Sequence, residues 1–367
     1  MTKLPSTQKA IKLNDDYKLV VRNDSPVSTN LEDDEILVKV KAVALNHTDY
    51  YFADFKWASP GEGSGTCLAG DVLAVGDKVT RFSIGDTITS FTFGSDSQFK
   101  DHGAYQQYVK VLEINSFQFN VKGYSDSGSI ERGTIKTYED GASVANALIT
   151  IGISVYQTFE AYKNDPSKTI LIYGGSTNVG QLAIQYAKTL GWKIIAIASP
   201  KYNELLKKLG AEIVLDYHSE TLVDDIKNLK ISIDYGYITT GGTKAVEQIY
   251  EALPDDKVIK LEGLQVPDVS FIKEKKPNIQ YELTRAFTSH GKSIKYGDGR
   301  IFHPKEGTLE RLKEFVPIVE NLSKQGKLDH LPIRVLPGGF DAVNDGLKLL
   351  KEGKISNERL VIRVDSN

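Results

Sequence analysis

Residues 170–180 read Ile-Leu-Ile-Tyr-Gly-Gly-Ser-Thr-Asn-Val-Gly, an apolar run that breaks on two glycines and re-enters a helix-like stretch, VGQLAIQYAKTLG at 179–191. A strand that turns on glycine into a helix aims backbone N–H groups at whatever sits above the turn, and the helix N-terminus favours an anion there. The pattern departs from G-x-G-x-x-G. The strand before it and the helix after it are what point to a dinucleotide pyrophosphate; the other reading is a merely tight connection. Gly174, Gly175, Ser176, Thr177, Asn178, Val179 and Gly180 are therefore candidate cofactor-binding residues. Downstream, KIIAIA (193–198), NELLKKLG (203–210), EIVLD (212–216), ISIDYGY (231–237), AVEQIYEAL (245–253) and KVIKLEG (257–263) keep alternating strand and helix textures. Parallel neighbours need long crossovers, so an α/β domain with a doubly wound parallel sheet is expected.

Upstream the texture differs. AIKL (10–13), KLVVR (18–22), EILVKVKAVAL (35–45), DVLAVG (71–76) and GAYQQYVKV (103–111) are short β-like runs broken by turns, which predict an antiparallel β domain. From about Lys305 helix-like and strand-like pieces return, too few for a third domain, and they are expected to pack on the amino-terminal β domain. The expected division is thus residues 1–155 with 305–367, and 156–304 between them.

Composition narrows the function. The chain has 367 residues, enough for two domains at about 100–200 residues each, with 40% hydrophobic and 25% charged residues. Lysine plus arginine number 45 against 48 acidic residues, a formal charge of -3, so there is no basic surplus to attract nucleic acid or anionic lipid. A single cysteine, Cys67, supports neither an intramolecular disulfide nor a Cys-rich zinc site and suits a reducing compartment. With no apolar run of about 20 residues and no secretory leader texture, a cytoplasmic protein is expected. Its partner is expected to be a small-molecule substrate, with no nucleic acid and no membrane, and the chain a monomer or homodimer.

The second strand of the α/β part ends Ala198-Ser199-Pro200-Lys201-Tyr202. The acidic residue that would accept hydrogen bonds from an adenosine 2′-hydroxyl is missing, whereas Ser199 offers a hydroxyl and Lys201 a positive charge, both suited to a 2′-phosphate. NADPH (NADP) is the expected cofactor. The plainer alternative is that Lys201 only caps a solvent-facing helix start.

The domain order together with VKAVALNHTDYY (40–51), LAGDVLAVGDKVTRFSIGD (68–86) and YGGSTNVG (173–180) resembles the medium-chain dehydrogenase/reductase superfamily over nearly the whole chain. The turn, SPKYN (199–203) and the carboxyl-terminal stretch from Gly326 to Val364 are similar to the zinc-independent branch of fungal trans-acting enoyl reductases and their toxD-like yeast relatives. Quinone oxidoreductases of the zeta-crystallin type are more distant. The resemblance implies a GroES-like catalytic domain built from both chain ends, a Rossmann domain between them and an active site in the interdomain cleft. In zinc alcohol dehydrogenases a cysteine ligand precedes His-Thr-Asp, and here Asn46 takes that place before His47-Thr48-Asp49. Their Gly-His-Glu motif falls on Gly65-Thr66-Cys67. Two ligands are thereby lost, the six histidines (47, 102, 218, 290, 303 and 330) are scattered, and no metal is expected.

What the resemblance then implies is an NADPH-dependent oxidoreductase passing hydride to a conjugated acceptor, an enone, enoyl thioester or quinone. The alternatives are an aldehyde or ketone reductase, and a non-catalytic NADPH-binding protein. Asn46 matches an asparagine kept near the nicotinamide. Tyr51 matches a tyrosine lining the same cleft, as proton donor or merely as a core ring. Lys56 is a second donor candidate, or a solvated lysine. Ser154 matches a Ser/Thr position contacting nicotinamide or substrate, or else bonds back to its own helix. Tyr217 matches a tyrosine near the adenosine phosphate, and Asn357, in the Ser356–Arg359 segment, a loop that returns to the cofactor.

Overall fold

The computed structural model describes residues 4–265 and 276–364. The chain forms two compact units, Met1–Ile149 with Phe287–Asn367, and Thr150–Ala286.

In the first unit the strands Ser116–Phe117, Thr87–Phe91, Cys67–Val75, Glu35–Ala44, Arg359–Arg363, Ile333–Leu336 and Ser129–Ile130 lie side by side in that order, and Tyr108–Leu112 pairs with Glu35–Ala44. Both chain ends thus contribute to one sheet, and Arg359–Arg363 pairs antiparallel with Glu35–Ala44. The upstream runs pair antiparallel, as expected. In the carboxyl-terminal segment Ile333–Leu336 and Arg359–Arg363 run parallel, and the helix Val343–Lys351 supplies the crossover that such a pair requires. The fourth run also begins earlier than its sequence suggested, at Cys67, and 103–107 lies outside the strand Tyr108–Leu112.

The second unit is a six-stranded parallel sheet. Numbered along the chain, its strands Thr169–Tyr173, Lys193–Ala198, Ile213–Asp216, Tyr235–Ile238, Ile259–Gly263 and Ile279–Leu283 are ordered 3-2-1-4-5-6 across the sheet, the order of a dinucleotide-binding fold. All five residues of Thr169–Tyr173 are buried, as expected of a central strand covered on both faces. On one face Leu171, Ile195 and Ile197 pack with Ile226, Val246 and Ile249 in a single apolar cluster.

The division differs from the expected one at both joints. Residues 287–304 go with the β unit because Phe287 packs on Phe52 and Phe91, with ring centroids 4.8 and 5.4 Å apart, and Tyr296 stacks on Trp57 at 4.9 Å. Residues 150–155 go with the parallel sheet, where Ser154 lies 2.9 Å from the Tyr237 hydroxyl. Among the described residues no helix is long and apolar enough to cross a membrane.

Candidate active site

In the second unit the glycine turn leaves the central strand. Gly174 has φ +82°, and a Cβ there would stand 2.4 Å from Thr239 Oγ1; a Cβ on Gly180 would stand 2.2 Å from the Gly174 carbonyl oxygen. Only glycine allows both the left-handed turn and this approach of helix to strand. Thr177 caps the helix Asn178–Thr189, its hydroxyl accepting from the Gly180 N–H at 3.0 Å. That cap explains why a threonine, and not a glycine, fits the middle place of the turn, between Gly174 and Gly180. The backbone N–H groups of Ser176 and Val179 find no acceptor among the described residues. Two unspent donors at a helix start form an anion cradle that fits a pyrophosphate.

Tyr173, Ala198 and Asp216 end three adjacent parallel strands, so Gly174, Ser199 and Tyr217 follow along one edge of the sheet. Lys201 is exposed and makes no ion pair among the described residues; its ammonium lies 4.9 Å from the Tyr202 ring centre. Tyr217, 38% exposed, has its ring 6.4 Å from that of Tyr173. Asp216 Oδ1 sits 2.7 Å from His218 Nδ1.

In the first unit Asn46 caps the short helix His47–Asp54 and lies within a chain of hydrogen bonds that runs one way, from Arg359 to Asp49. Arg359 Nη2 donates to Asn46 Oδ1 at 2.8 Å, Asn46 Nδ2 to Thr66 Oγ1 at 3.0 Å, and Thr66 Oγ1 to Asp49 Oδ1 at 3.1 Å. Asp49 Oδ2 accepts from the Tyr105 hydroxyl at 2.5 Å and from the Asn46 N–H at 2.8 Å. Burial lifts the Asp49 carboxyl to about 6 against these donors and lowers the Arg359 guanidinium from its usual range; it also pushes the Cys67 thiol up to about 11. Asn46 Nδ2 also donates to the Ala44 carbonyl at 3.1 Å, so both amide hydrogens of Asn46 are spent inside the protein.

The residues in the places of zinc ligands are therefore an amide and a hydroxyl bonded to each other, a donor set that does not fit zinc. Among the described residues no three His, Cys, Asp or Glu side chains gather as a metal site. Two further donors, Arg359 Nε and Thr48 Oγ1, are buried without a partner among the described residues. Sequence reading passed over Asp49, Thr48 and Tyr105. The signal it had was only the adjacency of Asn46 to His-Thr-Asp.

The remaining candidates divide. Tyr51 is half-buried on the same helix as Asn46, and Tyr50 beside it has its phenol raised by burial and by the Tyr51 hydroxyl. Lys56 is exposed, takes a left-handed φ of 54° just beyond that helix and points its ammonium at the Tyr17 ring, 5.1 Å away. Ser154 belongs to the other unit. It is fully buried in the π-helical turn Gly152–Thr158, donates to the Thr150 carbonyl at 2.8 Å and meets the Tyr237 hydroxyl. A hydroxyl so placed bonds back to its own helix, the second of the two readings its sequence offered. Asn357 lies in the first unit, before Arg359–Arg363, with φ 54°.

The sequence matches the family described as "Alcohol dehydrogenase GroES-like domain" over residues 32–124, and the one described as "Zinc-binding dehydrogenase" over residues 178–275. The latter match lies wholly within the second unit, away from Asn46, Thr66 and Cys67. An uncharacterized protein of Saccharomyces cerevisiae is 30% identical over 375 residues, 98% of each chain. A trans-enoyl reductase of Aspergillus clavatus is 29% identical over 374 residues, 99% of this chain and 98% of its own. The crystal structure of a putative zinc-dependent alcohol dehydrogenase from Rhizobium etli superposes with a TM-score of 0.78 at 21% identity, covering 99% of this chain and 100% of that one.

Proposed function

The chain belongs to the medium-chain dehydrogenase/reductase superfamily of oxidoreductases, and from that premise we propose that it is a zinc-independent, NADPH-dependent reductase of conjugated acceptors: enones, enoyl thioesters or quinones. The observation that carries the reading is the Asn46–Thr66 hydrogen bond in the places of metal ligands, locked at one end by Arg359 and at the other by Asp49. Without a Lewis acid, reduction is easiest where the incoming charge spreads onto an oxygen that hydrogen bonds alone can stabilise. A relative named as a trans-enoyl reductase supports the same reaction class.

When bound, the nicotinamide supplies the hydride. The unspent N–H groups of Ser176 and Val179 would hold its pyrophosphate, and the Lys201 ammonium would pair with the 2′-phosphate. On an enone or enoyl thioester the hydride would go to the β-carbon and the charge would move onto the carbonyl oxygen, to which the Tyr51 hydroxyl would hydrogen-bond; the α-carbon would take its proton from water, giving the saturated carbonyl compound. A quinone would take the hydride and a proton from water to give the hydroquinone. Asn46, Thr66 and Asp49 would hold the amino end of the helix that carries Tyr51.

A cofactor-oxidation panel at 340 nm tests the reading: enones and quinones against saturated aldehydes, each with NADPH and NADH, with and without chelator. NADPH oxidation by enones or quinones that chelator leaves intact is expected. Faster turnover of saturated aldehydes would replace the reading by an aldehyde reductase, and no turnover with any acceptor by a binding protein.

A further inference from the structure

The ring contacts of the first unit say more about substrate than Tyr51 does alone. Tyr51 stands 5.6 Å from Phe55 and 6.3 Å from Trp57, centroid to centroid, and Phe55 is 5.1 Å from Trp57. Phe55 is 54% exposed, and Tyr51 and Trp57 are half-buried. These rings are braced from below. Trp57 stacks on buried Tyr296 with an interplanar angle of 19°, and buried Phe52 meets Trp57 at 5.9 Å and Tyr296 at 5.3 Å. The Gly297 N–H donates to the Trp57 carbonyl at 2.8 Å, pinning the loop that carries the ledge. At the far end the Arg300 guanidinium lies 4.9 Å from the Trp57 ring centre, tied to Asp298 at 2.6 Å.

Rigid aromatic rings left open to water at this density mark a recognition surface, since they present apolar area with little side-chain entropy left to lose. The open area is that of three partly covered rings, on the order of 300 Å², well below the roughly 800 Å² per partner of a stable protein interface. It does match one or two planar rings, and it begins at the hydroxyl assigned above as donor.

We propose that this ledge selects the substrate: acceptors whose conjugated double bond carries a planar apolar substituent, an aryl ring or short polyene, over short aliphatic enones. The inference rests on the reductase reading given above and names the substrate class of that same site.

The test compares kcat/KM for 4-phenylbut-3-en-2-one and pent-3-en-2-one with NADPH in the wild type, Phe55→Leu and Phe55→Ala. The wild type should favour the aryl enone by about tenfold or more, and Phe55→Ala should bring that ratio close to one, with Phe55→Leu between. A wild-type ratio near one overturns the proposal, as does a Phe55→Ala variant that slows both enones by one factor. A Phe55→Ala variant that dissociates in sedimentation while keeping its selectivity assigns the ledge to a second copy of the chain and also overturns it. A second readout needs no turnover: in a Trp192→Phe background, quenching of Trp57 fluorescence by the saturated ketone 4-phenylbutan-2-one should occur and weaken in Phe55→Ala. Should no enone be reduced, the reaction class fails while that quenching still supports the ledge; absence of quenching in the Trp192→Phe parent overturns the ledge itself.

Discussion

Tyr105→Phe removes one hydroxyl, and the buried carboxylate it serves makes the consequence depend on pH. Asp49 is lifted from the ordinary 3.8 to about 6, first by burial, and the Tyr105 hydroxyl is the largest influence holding it down. That lift corresponds to about 3 kcal/mol against ionisation at neutral pH. For an acid raised on folding, the associated stability is fully present below the unfolded pKa and is lost as pH rises through the folded one, here from about 4 through about 6. At pH 5 the Asp49 carboxyl is mostly neutral, so losing Tyr105 removes a hydrogen bond worth about 1 kcal/mol. At pH 8 the same loss strips a charge-assisted bond from an ionised, buried group and should cost about 1.5–3 kcal/mol. The assay is urea unfolding of the first unit in a Trp192→Phe background, where Trp57 is the only tryptophan left and reports that unit. A destabilisation larger at pH 8 than at pH 5 by about 0.5–2 kcal/mol is expected from the same difference. Equal losses at the two pH values would mean that Asp49 does not titrate in this window, and the donor chain would then be ordinary polar packing.

Three other outcomes are expected. Gly180→Ala places a Cβ 2.2 Å from the Gly174 carbonyl oxygen, so it should weaken NADPH binding by about tenfold or more with far-ultraviolet circular dichroism little changed; a titration matching wild type would refute the cradle. Lys201→Ala should narrow the gap between NADPH and NADH dissociation constants by about ten- to a hundredfold, the worth of a charge-assisted contact, and leave NADH nearly where it was. Tyr51→Phe should lower kcat on a conjugated acceptor while the NADPH dissociation constant stays within about twofold, because the hydroxyl acts on the transition state; a silent variant moves the donor to Lys56 or solvent.

Local texture made much of the second unit readable. KIIAIA at 193–198 is a strand with those same ends, because a strand buried on both faces is a continuous apolar run that nothing polar interrupts. Ile279–Leu283, at the sheet edge, escaped notice for the same reason: only Ile279 of its five residues is buried, and IQYEL looks polar. The π-helical turn at Gly152–Thr158 has no mark in its letters, and it decides that Ser154 faces inward. In the first unit the amide at 46 and the hydroxyl at 66 were legible. What they bond to was not, because the bonds that fix them join Asp49 to Tyr105 across 56 residues and Asn46 to Arg359 across 313. Neither local propensity nor spacing encodes a partner so far away.

The replacement also explains why those distant residues are of these types. Once an amide and a hydroxyl stand where charged or metal-bound ligands would, each buried polar atom must find a partner in the chain, since an unmet one costs about 1–3 kcal/mol. Asn46 meets the need by facing two ways, its carbonyl toward Arg359 and its amide toward Thr66 and Ala44. Thr66 can then donate in only one direction, toward Asp49, and the carboxylate closes the chain by accepting from three groups. The cation at one end and the anion at the other are both buried and linked through neutral groups. Removing either alone would leave its counterpart uncompensated in a low-dielectric interior, at about 3–5 kcal/mol. The arrangement therefore holds as a unit, and it leaves only Arg359 Nε and Thr48 Oγ1 as buried donors still unmet at this helix start among the described residues.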